Sequence, residues 1–181
     1  GTDIELPCLL AMWLSLSISE IRGLTVDSVR DHMLLVRGSV VDIDGMPTHK
    51  LSNKAFDRTR ALPLPDRIRA LIEKTDAWKN GEGFLVPNTS QAIYMRWIRL
   101  QRAAGISHPM TFHQLRHLNA SVMLALGIPD THAMQRGGWS GPETLKRIYQ
   151  HTLTARQDDY DRRIDAYFGA LSAHESAHDS Q

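Results

Sequence analysis

Two histidines and one arginine lie close together in the segment from Thr111 to His117. His113 and Arg116 are three residues apart, so they share one face of the helix that this segment predicts. A guanidinium can donate to two oxygens of a phosphate while a neighbouring imidazole donates or accepts a proton. Taken alone, such a pair is more typical of surface polar side chains, so other motifs must decide between these interpretations.

The spacing of His113 and His117 also fits two zinc ligands on one helix, because residues four apart project from the same side. Gln114 stands where a metalloprotease has its catalytic glutamate, and Arg116 would repel a metal ion. The sequence therefore predicts no metal site, and His117 is interpreted as a structural hydrogen-bonding residue.

Two more motifs follow in order along the chain. A Gly-Gly-Trp motif ends at Trp139, 23 residues after Arg116, and a Tyr-Gln-His motif begins at Tyr149, ten residues later. With the segment from His113 to His117, this series resembles the tyrosine recombinase, or phage integrase, family, in which H-x-L-R-H, L-G-H/W and Y-x-H follow one another. Each motif is weak by itself, but three in this order at near-family spacing are specific.

A basic segment between two predicted strands extends the resemblance. Family members carry a lysine on a β-hairpin about nine residues before an x-P-L strand end, and Lys54 precedes Pro63 by nine residues here. Other basic residues nearby would add cationic surface for DNA, whose phosphates are bound by lysine and arginine. These DNA-binding candidates are Lys50, Arg58 and Arg60.

The sequence departs from the family at its first motif, G-x-R-x-x-E-I/L-x-x-L. Glu20 matches the glutamate, which would orient its neighbours, but Ser17 occupies the position of the first catalytic arginine. A serine can donate one hydrogen bond to a phosphate oxygen but brings no charge, so transition-state stabilisation should weaken unless another cation reaches the site. Arg22 is the nearest substitute, although five residues along a helix place it about 140° away. Integrases of some Gram-positive mobile elements look similar, so the serine does not predict inactivity.

The resemblance implies a transesterification that needs no metal and no cofactor. Tyr149 would attack a DNA phosphodiester, giving a 3′-phosphotyrosine and a free 5′-hydroxyl, and the 5′-hydroxyl of a partner strand would later restore the DNA backbone. Arg116 would neutralise the phosphoryl oxygens, and Lys54 would protonate the leaving 5′-oxygen. His113 would accept the tyrosyl proton or hold a phosphate oxygen, and Trp139 would donate its indole N–H near the phosphate.

The hydrophobic pattern predicts the elements that position these residues. Apolar residues at helical spacing predict a helix over 6–16, and an S-x-x-E capping box from Ser17 to Glu20 begins a second short helix. Three apolar segments predict one small antiparallel sheet, with a turn at 44–45. The predicted strands are 33–36, 39–43 and 61–64, with a further short strand at 84–87; the later helices are 65–80, 90–104, 111–126, 129–136 and 145–149. The expected fold class is α+β, mainly α, with a small antiparallel sheet inserted among helices.

Composition limits the classes of protein that the chain can form. Its 181 residues are 42% hydrophobic and 23% charged, which fits one globular domain with a tail. Lys and Arg number 21 against 20 Asp and Glu, so a nucleic-acid partner must be bound through local basic patches. The single cysteine, Cys8, cannot form an internal disulfide, and the apolar run 6–16 is too short to cross a membrane. We expect a cytoplasmic protein without membrane association.

The resemblance also sets expectations for domains and partners. We expect residues 1–171 to form the catalytic domain and residues 172–181 a disordered tail, and nothing here resembles the helical core-binding domain that such recombinases usually carry. An amphipathic stripe from Tyr160 to Leu171 would pack on its own domain or pass to a neighbouring protomer. The implied partner is a double-stranded DNA recombination site, bound by a homotetramer of the full-length protein, whereas this chain alone would be a monomer.

Two alternatives stand beside an active recombinase. A DNA-binding relative, with catalysis weakened or lost because Ser17 replaces the arginine, would form no covalent DNA adduct at Tyr149. A zinc hydrolase built on His113 and His117 would instead contain metal when purified.

Overall fold

The computed structural model describes residues 3–43, 46–50, 59–143, 145–147, 162 and 165–166. The helices with complete bounds are α1 (Glu5–Leu14), α2 (Ile18–Arg22), α3 (Asp66–Ile72), α4 (Asp76–Asn80), α5 (Ser90–Ala103), α6 (Phe112–Ala125) and α7 (Asp130–Gly137). The strands are β1 (Val29–Arg30), β2 (Met33–Val36), β3 (Ser39–Ile43), β4 (Met46–Lys50) and β5 (Arg60–Pro63). The predicted turn at 44–45 and most of the stripe at 160–171 lie outside the described residues.

The serine-rich joint after α1 turns the chain sharply. Ser15 has φ 60°, in the left-handed region, and ends α1 with its N–H donating to the Leu10 carbonyl. Ser17 then begins α2 as its N-cap, and the Ser17–Glu20 capping box that the sequence predicts is present. The joint brings Glu20 to the start of a new helix, close to the C-terminal end of α1.

The strands form two antiparallel sheets instead of the single sheet predicted. β1, β2 and β5 form a three-stranded sheet, in which Met33 of β2 pairs with Pro63 of β5. β3 and β4 form a separate two-stranded ribbon, with Ser39 opposite Lys50. Because β2 takes β5 as its neighbour, β3 and β4 pair with each other, and β3 packs against α2. The predicted strands 33–36, 39–43 and 61–64 correspond to β2, β3 and β5, whereas β1 and β4 were not predicted.

Two other local predictions are corrected by the structure. The predicted helix 65–80 is divided into α3 and α4, because the Thr75 hydroxyl accepts a hydrogen bond from the Trp78 N–H at 3.2 Å and caps a new helix. The predicted strand at 84–87 is reduced to one isolated bridge between Phe84 and Thr25.

The start of α6 is held by the side chain of Gln101, which is buried on α5. Its Oε1 accepts from the Met110 N–H at 2.7 Å, and its Nε2 donates to the Met110 carbonyl at 3.0 Å. Trp97 Nε1 donates to the same carbonyl at 2.8 Å, and its ring packs edge-on against Phe112. These contacts fix where α6 begins, and therefore the direction in which its polar face points.

The core lies where α1 packs along α6 and against α3, and inward-facing residues of the three-stranded sheet belong to the same core. Leu10 and Leu14 of α1 and Leu115 of α6 belong to this core. Within the described part of the chain, no helix is both long enough and apolar enough to cross a membrane. The mainly helical α+β class that the sequence predicts is confirmed.

Candidate active site

One carboxylate joins two buried arginines from distant parts of the chain. Glu20 Oε1 accepts from Arg60 Nη1 at 2.7 Å, and Glu20 Oε2 accepts from Arg116 Nη1 at 3.1 Å. The side chains of Arg60, Arg116 and Glu20 are 6%, 9% and 12% exposed. Burial alone would raise the pKa of Glu20, but the hydrogen bond and charge of Arg60, then the Ser17 N–H and the charge of Arg116, hold it below its usual range. We call Ser17, Glu20, Arg60 and Arg116 the Glu20 cluster.

Ser17 contributes to the cluster through Glu20. Its hydroxyl donates to Glu20 Oε2 at 2.9 Å, and its backbone N–H donates to the same oxygen at 2.8 Å. The hydroxyl proton that the sequence analysis assigned to a phosphate oxygen therefore lies on the carboxylate in this structure. Ser17 helps to hold Glu20 but adds no positive charge.

Arg60 was predicted to add cationic surface for DNA, but in the structure its side chain is buried. Arg60 begins β5 with its side chain turned inward, and its Nε donates to the Arg136 carbonyl at 2.9 Å. The guanidinium lies over Gly138, where an added Cβ would come within 2.6 Å of Nη1. Gly138 has φ 67°, in the left-handed region that glycine tolerates, and ends α7. Pairing with Glu20 thus draws Arg60 away from the exposed surface.

The Gly-Gly-Trp motif places an aromatic ring against Arg116. The Arg116 guanidinium carbon lies 5.0 Å from the centroid of the Trp139 ring, within the range of a cation–π contact. The ring in turn packs so closely over Gly137 that an added Cβ would overlap it. A cleft of about 460 Å³ opens here, between β5 and the end of α7, and Arg60 and Trp139 are among its lining residues. The two glycines of the motif therefore make room for two site residues, Trp139 and Arg60.

His113 and His117 lie on the same face of α6 as predicted, with ring centroids 4.6 Å apart and edge-to-face geometry. Partial burial and the charge of Arg116 hold the pKa of His113 below its ordinary value of 6.5. Burial, followed by the charges of His113, Arg116 and Arg147, also lowers the pKa of His117. Both imidazoles are therefore neutral at pH 7, and a neutral imidazole can accept a proton.

Helices α6 and α7 are both tied to the end of α1. Asn119 Nδ2 donates to the Met12 carbonyl at 2.9 Å and to the Trp13 carbonyl at 3.2 Å. Arg136 Nη2 donates to the Trp13 carbonyl at 3.2 Å. The last carbonyls of a helix lack partners within the helix, so these bonds satisfy α1. They also fix α6, which carries Arg116, and α7, which ends just before Trp139.

Arg22 points away from the Glu20 cluster. Its two terminal nitrogens bind both oxygens of Asp42 at 2.8 and 2.9 Å, and it also donates to the Asn88 carbonyl and the Ser90 hydroxyl. The side chain is 4% exposed and joins α2 to β3 and to the start of α5. The structure therefore corrects the suggestion that Arg22 takes the place of the missing arginine, since a different surface of α2 faces the site.

Several candidates lie where the structure makes no statement. Lys54, Arg58 and Tyr149 lie outside the described residues, and Lys50 is described as the last residue of β4 but not in its side chain. Arg136 and Gln101 were not predicted as site residues; Arg136 binds Arg60 through its carbonyl, and Gln101 binds the Met110 backbone before α6. A buried glutamine eleven residues before α6 carries no motif that could have revealed this role.

The donor set around the histidines gives no support to a zinc site. Across the described ranges, no three His, Cys, Asp or Glu side chains group closely enough to hold a metal ion. Gln114, at the position of a metalloprotease glutamate, instead accepts a hydrogen bond from the Thr111 N–H and caps α6.

The lowered histidine pKa values predict acid sensitivity of the fold. The unfolded chain would bind protons on His113 and His117 near pH 6.5, whereas the folded chain binds them only at lower pH. The free energy of unfolding therefore has its full histidine contribution above about pH 6.5 and falls as the pH drops below that value. We expect the Tm to fall between pH 7.5 and 5.5 in thermal melts. The double variant His113→Gln/His117→Gln should show a shallower decline; an equal slope in both proteins would contradict this assignment.

Comparison with known proteins agrees with the motifs. Residues 7–156 match the family model of the phage integrase family. The chain therefore belongs to the phage integrase family, which confirms the resemblance drawn from its sequence.

Individual relatives cover the chain only in part. An integrase of Saccharopolyspora erythraea is 28% identical over 148 residues, which are 72% of this chain and 32% of the relative. The integrase of Salmonella phage P22 is 34% identical over 73 residues, 40% of this chain and 18% of that protein. This chain thus spans about a third of the length of the first relative and less of the second.

Solved structures share the fold at low sequence identity. The integrase of the transposon Tn1549, in complex with transposon right end DNA, superposes with a TM-score of 0.66 at 18% identity, over 88% of this chain and 57% of that one. The XerA recombinase gives a TM-score of 0.66 at 17% identity, over 90% of this chain and 57% of its own. The predicted recombinase fold is confirmed by these likenesses.

Proposed function

We propose that the chain is the catalytic domain of a site-specific DNA recombinase that cuts and rejoins DNA through a phosphotyrosyl intermediate. The observation that carries the proposal is the Glu20 cluster, in which one carboxylate holds Arg116 beside Trp139 and next to the neutral His113. Such a cation, fixed before substrate arrives, is suited to the charge that develops on a phosphoryl group in its transition state. Membership of the phage integrase family supports the same reaction.

In the proposed reaction, the Tyr149 oxygen forms a bond to phosphorus as the bond from phosphorus to the 5′-oxygen breaks. His113 accepts the tyrosyl proton, and Lys54 gives a proton to the leaving 5′-oxygen. Arg116 stabilises the non-bridging oxygens throughout. Attack by the 5′-hydroxyl of a partner strand reverses these steps and releases Tyr149. No oxidant, metal or nucleotide enters the balance.

We further propose double-stranded DNA as the substrate, with a homotetramer of the full-length protein assembling on the recombination site. With DNA as its substrate, the protein would act in the cytoplasm. The Tn1549 integrase, which shares this fold, was solved in complex with DNA, and that likeness supports the substrate class.

Covalent trapping tests the proposed function. The full-length protein is incubated with nicked duplexes that tile the DNA beside its own coding sequence, so that loss of the short cleaved fragment prevents religation. We expect a DNA-linked protein band on a denaturing gel, and nuclease digestion followed by mass spectrometry should locate the nucleotide on the peptide that contains Tyr149. DNA binding without any adduct would favour the non-catalytic relative instead.

Replacing Arg116 should weaken the reaction without preventing DNA binding. Arg116→Gln removes the charge beside the phosphate, and loss of one preorganised donor of this kind costs about 10²–10³-fold in rate. The measurement is the initial rate of adduct formation at saturating protein. Arg67→Gln is the matched control, because Arg67 forms an exposed pair with Glu5 on α1; an equal rate in both variants would contradict the role of Arg116.

A further inference from the structure

The net charge of the Glu20 cluster depends on more residues than those of the family motif. Arg116 is paired with a carboxylate, and one guanidinium with one carboxylate has no net charge. Ser17 supplies none, since its hydroxyl donates to Glu20 Oε2. A dianionic transition state would gain little from a pair that is already neutral. The negative charge of Glu20 would lie about as close to the phosphate as the positive charge of Arg116, so their effects on the phosphate would largely cancel.

Arg60 changes this balance. Its Nη1 lies 2.7 Å from Glu20 Oε1, closer than Arg116 lies to the other oxygen, so the two arginines and one glutamate together carry a net charge of +1. The side chain is 6% exposed, and in a buried setting an ion pair is screened little by water or salt. The hydrogen bond from its Nε to the Arg136 carbonyl and its close packing over Gly138 hold the side chain in this position.

We propose that Arg60 is a positioning residue that neutralises Glu20, so that the charge of Arg116 acts on the scissile phosphate although Ser17 has replaced the first arginine. The inference rests on the proposed function. Arg60 acts through Glu20 and Arg116, and its essential contribution is one positive charge. A purely structural arginine at this place would be needed for packing and hydrogen bonds, whatever the charge at position 20.

Charge-matched variants separate these roles in the adduct assay with full-length protein. Arg60→Gln brings the net charge of the cluster to zero, and we expect adduct formation to slow by about 10–100-fold. Arg60→Gln/Glu20→Gln restores a net charge of +1, and its rate should recover by about tenfold or more over Arg60→Gln. Arg60→Lys keeps the charge and should exceed Arg60→Gln. The exposed Arg67→Gln should match the wild type.

A second readout does not depend on cleavage. Orthovanadate takes five oxygen ligands, as phosphorus does in the transition state, and binding to the folded protein raises its Tm. We expect this rise in the wild type and in Arg60→Gln/Glu20→Gln, and its loss in Arg60→Gln and in Arg116→Gln. Melts without vanadate report how much of each effect is loss of fold.

The outcomes distinguish the two proposals. An adduct in the wild type with an unchanged rate in Arg60→Gln overturns the inference and leaves the proposed function intact. A double variant no faster than Arg60→Gln, with vanadate binding also unrestored, shows a structural role for Arg60 and likewise overturns it. No adduct in the wild type overturns the proposed function and the action on a scissile phosphate that rests on it; vanadate binding that follows the net charge would then show only that Arg60 sets the charge of the Glu20 cluster.

Discussion

Changing Tyr149 to phenylalanine should abolish the covalent DNA adduct. Phenylalanine keeps the ring but lacks the oxygen that would bond to phosphorus, and removal of a nucleophile commonly costs far more than removal of a supporting group. We expect adduct formation to fall by roughly 10³-fold or more, to below detection on a denaturing gel. Affinity for the DNA site, measured by gel shift, should change little, because the ring and the basic residues remain.

The other tyrosines provide matched controls for this result. The chain has four, and Tyr94, Tyr160 and Tyr167 can each be changed to phenylalanine in the same way. Tyr94 is exposed on α5, away from the Glu20 cluster. Tyr94→Phe should form the adduct at wild-type rate, and Tyr160→Phe and Tyr167→Phe should still form it. An adduct that persists in Tyr149→Phe would assign the attack to another nucleophile and would end the proposed mechanism.

Replacing Glu20 with alanine should give the largest loss of stability among single substitutions at the site. The change leaves Arg60 and Arg116 buried side by side without the carboxylate between them. Removing one partner of a buried ion pair typically costs about 3–5 kcal/mol, against a total unfolding free energy of about 5–15 kcal/mol for a domain. The Tm should therefore fall by about 6–20 °C in a calorimetric melt at pH 7.5.

Glu5→Ala tests whether burial is the cause. Glu5 pairs with Arg67 at 2.7 Å, the same distance as the Glu20–Arg60 pair, but the Arg67 side chain is 66% exposed. Exposed pairs contribute at most about 1 kcal/mol, so this variant should melt within a few degrees of the wild type. Equal losses for Glu5→Ala and Glu20→Ala would show that the buried cluster contributes no special stability.

The local elements were predictable because they depend on neighbours in sequence. Short apolar runs are sufficient to define β2 and β3, and the capping box at Ser17 is formed by residues three apart. The spacing of His113 and Arg116 predicted that they share a helix face, and the order of motifs predicted that Trp139 lies in the same site. The cation–π contact between Arg116 and Trp139 agrees with that grouping.

The arrangement of charge could not be predicted from local pattern. Arg60 lies 40 residues from Glu20 and 76 from Arg136, so only the folded pairing of β5 with β2 brings it inward. Read along the sequence, Arg60 is one of several basic residues on an arm, and Arg22 is closer to Ser17. Which arginine reaches the site depends on the competing partner: Asp42 binds Arg22, and Glu20 binds Arg60.

The close fit of Arg60 over Gly138 constrains how this sequence can change through evolution. A methyl group at position 138 would need the space that Nη1 occupies, so the cost of a substitution there depends on the residue at position 60. The two positions are therefore epistatic, although they are 78 residues apart. A lineage that gains a side chain at position 138 must move or replace the end of the Arg60 side chain, and so disturb the charge that accompanies Glu20.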